Sequence, residues 1–267
     1  MIIMDYNDFK GMKISKIGMG CYALSGSYGS VDKSHYKKVL KKAHELGVNF
    51  FDTADTYGDE AEEILGEVVK PFRDEVYIST KVGIREGVKP NLSYDYVKKA
   101  CQDSLDRLQT DYIDFYLIHF NDPENPKEET IKALEELKDE GKIRHYGVSH
   151  ISKDNLKEYL DKGNVSVAMM ELNAAARTAK NELLPLLKQY DTGGLAFSVT
   201  GRGILTGKYG SRPDFEEGDL RRIDPLYKRA RLESSLRILD KLKGIGKKYD
   251  KTPVQVAIQW VLSQPGI

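Results

Sequence analysis

Asp52, Tyr57, Lys81 and His119 are residues of this 267-residue chain whose types could act together on one reacting group. Reduction of a carbonyl compound has such a requirement. Hydride arrives at carbon, negative charge grows on oxygen, and a proton must be delivered there. A phenol can deliver it, although a free pKa of about 10 leaves tyrosine a weak acid. A neighbouring ammonium lowers that value by stabilising phenolate. A carboxylate paired with the ammonium holds it in place, and a neutral imidazole can orient the carbonyl oxygen. The chain supplies these types in FFDTADTYGDEAEEILGE, VYISTKVG and FYLIHFNDP. Taken singly, most have ordinary explanations. Asp52 would serve equally as a helix cap or a loop ion pair, Tyr57 is one of 16 tyrosines, and a lone His119 is more often a satisfied core histidine. Lys81 is harder to explain so, because a charge that ends a buried strand is costly unless paired.

These residues need elements that converge on one edge. Short apolar, β-branched or aromatic runs recur at 16–20, 48–52, 76–81, 113–119, 143–149, 165–172 and 194–198. They lack polar alternation and read as parallel strands buried on both faces. Helical stretches lie between them. Ser34 precedes Tyr36, Val39, Leu40, Ala43 and Leu46, with Gly47 closing the run; Ser93 precedes Val97, Cys101, Leu105 and Leu108. Ile131, Leu134 and Leu137 stop at Gly141, and Ser152 opens a run that ends at Gly163. Serine at the start and glycine at the end are helix punctuation. YNDFKGMKIS reads as a hairpin turning at Lys10–Gly11.

The alternation predicts an α/β domain, either doubly wound or a (β/α)8 TIM barrel with an N-terminal β-hairpin. Asp52, Lys81, His119 and Ser149 each end a different strand, and that edge carries the active site of barrels. A doubly wound sheet would want a glycine-rich phosphate loop after its first strand, and GMGCYALSG has Ala23 at the third glycine place. The barrel is therefore the reading, as a single domain over 1–267. Seven strands are visible, and LSQPGI stands where an eighth should begin, so the barrel reads as C-terminally incomplete.

The residues resemble the aldo-keto reductase family. Asp and Tyr five residues apart, a strand-end Lys and then LIH follow the order of that family's catalytic tetrad. IGMGCYALSG, DEGKIRHYGVSHIS, GRGILTGKYG, GDLRR and TPVQVAIQWVLSQPGI extend the resemblance over essentially the whole chain. It implies Tyr57 as general acid/base, Lys81 and Asp52 as its tuners and His119 as the carbonyl-orienting residue. It further implies cofactor contacts from Gly20, Cys21, Tyr22, Asp52, Ser149, His150, Met169, Phe197, Ser198, Val199, Gly201, Gly203, Lys208 and Arg221. The family holds the nicotinamide carboxamide with a Ser-Asn pair and a Gln. Here the pair is Ser149-His150, and Met169 stands at the Gln position. Phe197 matches the ring-stacking tyrosine. The 201–231 segment matches the loop that closes over the pyrophosphate, with Asp219 and Arg221 as its latch. Arg177 matches a family arginine without an assigned role.

The function so implied is NADP(H)-dependent reduction of aldehydes or ketones to alcohols by direct hydride transfer, without a metal, NAD(H) remaining a possible cofactor. The alternative is a nicotinamide-binding auxiliary subunit with little turnover, for which His150 and Met169 leave room. A metal-dependent hydrolase on a barrel is a third class, but Asp52, His119 and His150 make a poor ligand set. Composition bounds the partners. Lys plus Arg and Asp plus Glu both number 41, so there is no basic surplus for nucleic acid. Cys21 and Cys101 stand far apart, in keeping with a reducing cytoplasm. MIIMDYNDFK lacks the marks of a signal peptide, and no apolar run approaches the length of a membrane span. The partner is then a small carbonyl compound. Tyr22–Tyr28, 85–91 and Phe120–Pro126 are expected to line its entrance, with Tyr22, Tyr28 and Phe120 making the mouth apolar. No pattern in the sequence specifies an oligomeric state.

Overall fold

The computed structural model describes residues 4–58, 60–84, 89–211 and 213–267. The chain divides into two compact units, residues 1–166 and 167–267.

The first unit opens with the hairpin. β1 (Tyr6–Phe9) pairs antiparallel with β2 (Met12–Ser15), Phe9 opposite Met12. Lys10 and Gly11 both have left-handed backbones, φ 51° and 80°. That is the two-residue turn whose twist matches paired strands. Five parallel strands follow: β3 (Met19–Gly20), β4 (Phe50–Asp52), β5 (Tyr77–Val82), β6 (Ile113–Ile118) and β7 (Ile143–Ser149). Each pairs with the next in chain order, with no reversal of the kind that marks a doubly wound sheet. Every residue of β6 is buried, which explains its unbroken apolar run.

Helices α1 (Lys33–Glu45), α2 (Ala61–Val69), α3 (Tyr94–Leu108), α4 (Lys127–Asp139) and α5 (Lys153–Lys162) follow successive strands. The expected apolar residues of α3, α4 and α5 are buried, whereas in the α1 run Tyr36 and Leu40 are buried and Leu46 is exposed; two starts also differ. α1 begins one residue before Ser34, capped by Asp32, whose side chain accepts from the His35 N–H at 3.0 Å. Ser93 does precede α3, yet its hydroxyl donates to Asn91 Oδ1 at 2.8 Å instead of capping the helix. Ser152 caps α5 as the sequence indicates, accepting from Asn155 N. Gly66 lets α2 meet α3: a Cβ there would stand 2.4 Å from the Leu108 carbonyl oxygen.

In the second unit, β8 (Val167–Glu171) and β9 (Gly193–Phe197) are parallel, joined through α6 (Thr178–Glu182) and α7 (Leu184–Gln189). The 201–231 segment is not structureless. It contains single 3-10 turns at Ile204–Thr206, Leu220–Arg222 and Pro225–Tyr227 and then enters α8 (Arg229–Tyr249). α9 (Pro253–Leu262) starts on a capping box of Thr252 and Gln255. Beyond it, the Gly266 carbonyl accepts from Gly194 N of β9 at 2.8 Å. No helix of the described residues is long and apolar enough to cross a membrane.

Candidate functional site

The C-terminal ends of the first unit's strands carry the four residues singled out above. Asp52 is the last residue of β4, Lys81 the last but one of β5, and His119 follows β6 directly. Tyr57 comes from the turn after β4, closed by Tyr57 N donating to the Ala54 carbonyl at 3.2 Å. Parallel pairing in register brings these ends together.

Lys81 is the centre. Fully buried, it donates through Nζ to Asp52 Oδ1 at 2.9 Å and Oδ2 at 2.8 Å, to the Thr53 carbonyl at 2.7 Å and to the Tyr57 hydroxyl at 3.0 Å. Burial disfavours the ammonium, but the charge of Asp52 and the hydrogen bonds to Asp52 and Tyr57 outweigh it and raise its pKa. Lys81 is therefore charged. Burial lifts the Asp52 carboxyl above its usual range against the pull of Lys81. Tyr57 departs from the sequence expectation. Lys81 does lower its pKa, but burial raises it more, and the phenol ends above its ordinary value. The free protein thus holds Tyr57 protonated.

His119 is 4% exposed. Burial, then the charges of Lys81 and His150, push its pKa down to about 2, so the ring is neutral. Rings surround it: Tyr57 edge-on at 5.8 Å, Phe120 stacked at 4.7 Å and His150 at 5.6 Å. Phe120 also stacks on His150 at 4.6 Å. Tyr22 sets its edge against Tyr57 at 4.9 Å and against Tyr28 at 5.3 Å, so the expected aromatic residues do gather beside Tyr57.

The remaining expected residues of this unit divide. Ser149 and His150 bond to each other, Oγ to Nδ1 at 2.9 Å, and His150 holds a left-handed backbone with φ 45°. The Gly20 carbonyl accepts from the Tyr36 hydroxyl at 2.6 Å, and Cys21 N donates to the Asp52 carbonyl at 2.7 Å. Burial pushes the Cys21 thiol far up, which makes it a packing residue. Of the entrance segments, residues 85–88 lie outside the described residues. In the Phe120–Pro126 segment, Asp122 locks its loop by accepting from Leu92 N at 2.8 Å and Asn125 Nδ2 at 2.7 Å.

In the second unit Met169 is buried in β8 opposite Leu195, an ordinary packing position. β9 ends on Phe197, and the chain then turns through left-handed residues: Ser198 (φ 55°), Gly201 (59°), Arg202 (51°) and Gly203 (98°). Asn173 Nδ2 donates to the Ser198 carbonyl at 3.0 Å. The buried Ser198 Oγ has no partner among the described residues. A Cβ on Gly203 would stand 2.7 Å from the Tyr209 ring. Val199 continues the turn, and Lys208 is exposed with Nζ 5.6 Å from the Tyr209 ring centroid. Arg221 is committed: it bonds Asp219 through Nε at 2.9 Å, bonds the Tyr209 hydroxyl, and lies 4.6 Å from the Phe215 ring. Arg177 donates to the Ala174 carbonyl at 2.8 Å and covers Trp260, which gives it a packing role.

Sequence reasoning missed two contacts that shape the site, the Thr53 carbonyl on Lys81 and the Thr56 hydroxyl 3.4 Å from His119 Nδ1. Neither has a signal in spacing. Among the described residues, no three His, Cys, Asp or Glu side chains group closely enough to hold a metal ion.

Comparison with known proteins adds to this geometry. The model of the family described as "Aldo/keto reductase family" matches residues 16–267. The chain is 32% identical to "Aldo-keto reductase yakc [NADP(+)]" of Schizosaccharomyces pombe, over 94% of its own length and 77% of that protein. It is 30% identical to the "NADH-specific methylglyoxal reductase" of Escherichia coli, covering 94% and 83%. Among solved structures it matches the glycerol dehydrogenase AKR11B4 of Gluconobacter oxydans with a TM-score of 0.86 at 29% identity, over 100% of this chain and 84% of that one.

Proposed function

The chain belongs to the aldo/keto reductase family, with the (β/α)8-barrel fold of its solved relatives and the NAD(P)H-dependent oxidoreductase activity of that family, and on that premise we propose the residue roles. It reduces an aldehyde or ketone with NADP(H), Tyr57 delivering the proton. The observation that carries this reading is the Lys81 ammonium within hydrogen-bond distance of both the Asp52 carboxylate and the Tyr57 hydroxyl, at 2.8 and 3.0 Å.

The cofactor, when bound, supplies the hydride. Everything else falls to side chains. Tyr57, held protonated by burial, has a proton to give at neutral pH. As negative charge grows on the substrate oxygen, Tyr57 transfers that proton, and Lys81 stabilises the phenolate left behind. Asp52 and the Thr53 carbonyl hold the lysine in one position. His119 stays neutral and donates to the same oxygen, while Phe120 and His150 fix the plane of its ring. Tyr22, Tyr28 and Phe120 exclude water from the approach.

The second unit's turn fits a dinucleotide. Ser198 Oγ is a buried hydroxyl without a partner among the described residues, Phe197 ends β9 just before it with an aromatic ring, and the left-handed run at Gly201–Gly203 turns the chain onward, Gly201 N donating to the Ser198 carbonyl and Gly203 N to the Thr200 carbonyl. Lys208 adds an exposed positive charge in the same segment, and Arg221 with Asp219 holds the segment's fold. In the first unit, Tyr22 lies beside the reacting Tyr57. NADP(H) is the cofactor by family membership; the two curated relatives divide between NADP(+) and NADH, so NAD(H) is the competing choice.

The test mixes the full chain with NADPH or NADH and 4-nitrobenzaldehyde and follows absorbance of the reduced nicotinamide. Slow oxidation, abolished by Tyr57→Phe, is the expected result; unchanged turnover in that variant removes Tyr57 as donor. A second reading has its own support, because Ser149 and His150 bond each other and Met169 cannot replace an amide. In that reading the chain is an auxiliary nicotinamide-binding subunit, and tight cofactor binding without turnover across several aldehydes would favour it.

A further inference from the structure

Thr56 sits between the site's aspartate and its tyrosine in the turn after β4, and its Oγ1 lies 3.4 Å from Nδ1 of His119. Among the described residues this hydroxyl is the hydrogen-bond partner of the His119 side chain, and the histidine nitrogen is in turn the partner of the Thr56 side chain. The other close neighbours of the imidazole are rings: Tyr57, Phe120 and His150. A neutral imidazole has one donor and one acceptor nitrogen, and the partner of one decides the state of the other. His119 is neutral throughout the working range, so its tautomer is what determines whether Nε2 offers a proton or a lone pair.

We propose that Thr56 is a positioning residue that sets the tautomer of His119, its hydroxyl donating to Nδ1 so that the ring proton resides on Nε2. The inference rests on the reading of His119 as the group that orients the substrate oxygen. A threonine hydroxyl can rotate to donate or accept. Donation to Nδ1 gives its proton an acceptor inside the protein, whereas acceptance from an Nδ1–H would leave that proton without one. The donated arrangement also suits the chemistry. With the proton on Nε2, the ring donates to a carbonyl oxygen that is gaining negative charge. With the proton on Nδ1, a lone pair on Nε2 would face that charge. Burial forces the choice, since His119 cannot meet the demand by becoming imidazolium.

The experiment reads the tautomer directly. The full-length protein is labelled with 15N-histidine, and long-range proton–nitrogen spectra are recorded for wild type, Thr56→Val and Thr56→Ser, with His119→Gln identifying the signal. Valine keeps the shape of threonine and removes the hydroxyl; serine keeps the hydroxyl. The expected result is an Nε2-protonated ring in wild type and in Thr56→Ser, and a mixed population in Thr56→Val. The valine variant should also lose roughly five- to tenfold in kcat/KM for aldehyde reduction, the ratio one neutral hydrogen bond supports, and the serine variant should recover it. A wild-type spectrum with the proton on Nδ1, or a valine variant with unchanged spectrum and rate, overturns the proposal. If Thr56→Val does not fold, the wild-type and serine spectra still decide the tautomer. Failure of the underlying reading looks different: no wild-type turnover with any aldehyde, whatever the spectrum shows.

Discussion

Two buried ionic clusters lie toward opposite ends of the first unit's strands, and only one of them is built to react. Near the start of β6, Asp114 is fully buried and accepts from Arg73 Nη2 at 2.7 Å, Arg144 Nη1 at 2.8 Å and the backbone N–H of Ile78 at 2.9 Å. The Tyr112 ring lies 4.0 Å from one guanidinium and 4.1 Å from the other. Phe9, Phe50 and His145 each pack against Phe115, the residue after Asp114 in β6. Near the end of β5, Lys81 is as deeply buried and as fully partnered. The number of contacts therefore does not separate the two. Their proton inventories do. Arginine keeps its protons at any ordinary pH, so neither side chain hydrogen-bonded to Asp114 can give one away. Lys81 is bonded to a phenol, which can release a proton and leave a charge that the ammonium stabilises. Burying a charge is a matter of stability; a reacting site needs a partner that can change its protonation.

The sharpest way to break that contrast is at Tyr57. Tyr57→Phe should lower kcat by about 10²–10⁴-fold, the usual contribution of a positioned acid, with little change in the thermal melt, because Lys81 keeps Asp52 and Thr53. A collapse of stability alongside activity would make the two clusters alike. Asp114→Ala should do the opposite. It leaves two cations and an amide without their acceptor, so urea unfolding should show a loss of about 3–5 kcal/mol, while the rate per folded molecule is retained.

The third effect is on acid stability and comes from His119. Its folded pKa is about 2, and an unfolded histidine titrates at about 6.5. Unfolding therefore takes up a proton below that value. The stabilisation is complete above pH about 6.5 and is lost progressively as pH falls toward the folded pKa. His119→Gln should flatten the fall of the urea midpoint between roughly pH 6.5 and 4. His145, also lowered by burial, should leave a residual slope. The smallest effect is expected at Asp52. Its charge raises the pKa of Tyr57, which stands above the ordinary 10, so reduction should fail only in alkali. Asp52→Asn removes that charge, and the alkaline limb of kcat/KM should move to lower pH. A limb that moves up, or stays, would separate the carboxylate from the phenol.

Much of the fold is legible in the order of the residues. The strand positions, the Lys10–Gly11 turn, the helix faces and the strand-end location of Asp52, Lys81, His119 and Ser149 follow from local pattern, because burial on both faces, helical period and turn conformation are written in neighbouring residues. Other features were decided by the tertiary structure. Whether Asp32 or Ser34 starts α1 depends on where the strand before it delivers the chain, and whether Ser93 caps α3 depends on Asn91 competing for its hydroxyl. The pairing of Ser149 with His150 and the commitment of Arg221 to Asp219 turn on backbone geometry at single residues. The net pKa of Tyr57 is a contest between depth of burial and distance to Lys81, and the Thr56–His119 contact joins positions 63 residues apart. Residue types and their order are local properties of a chain, whereas ångström distances and exclusion of water arise when distant segments pack.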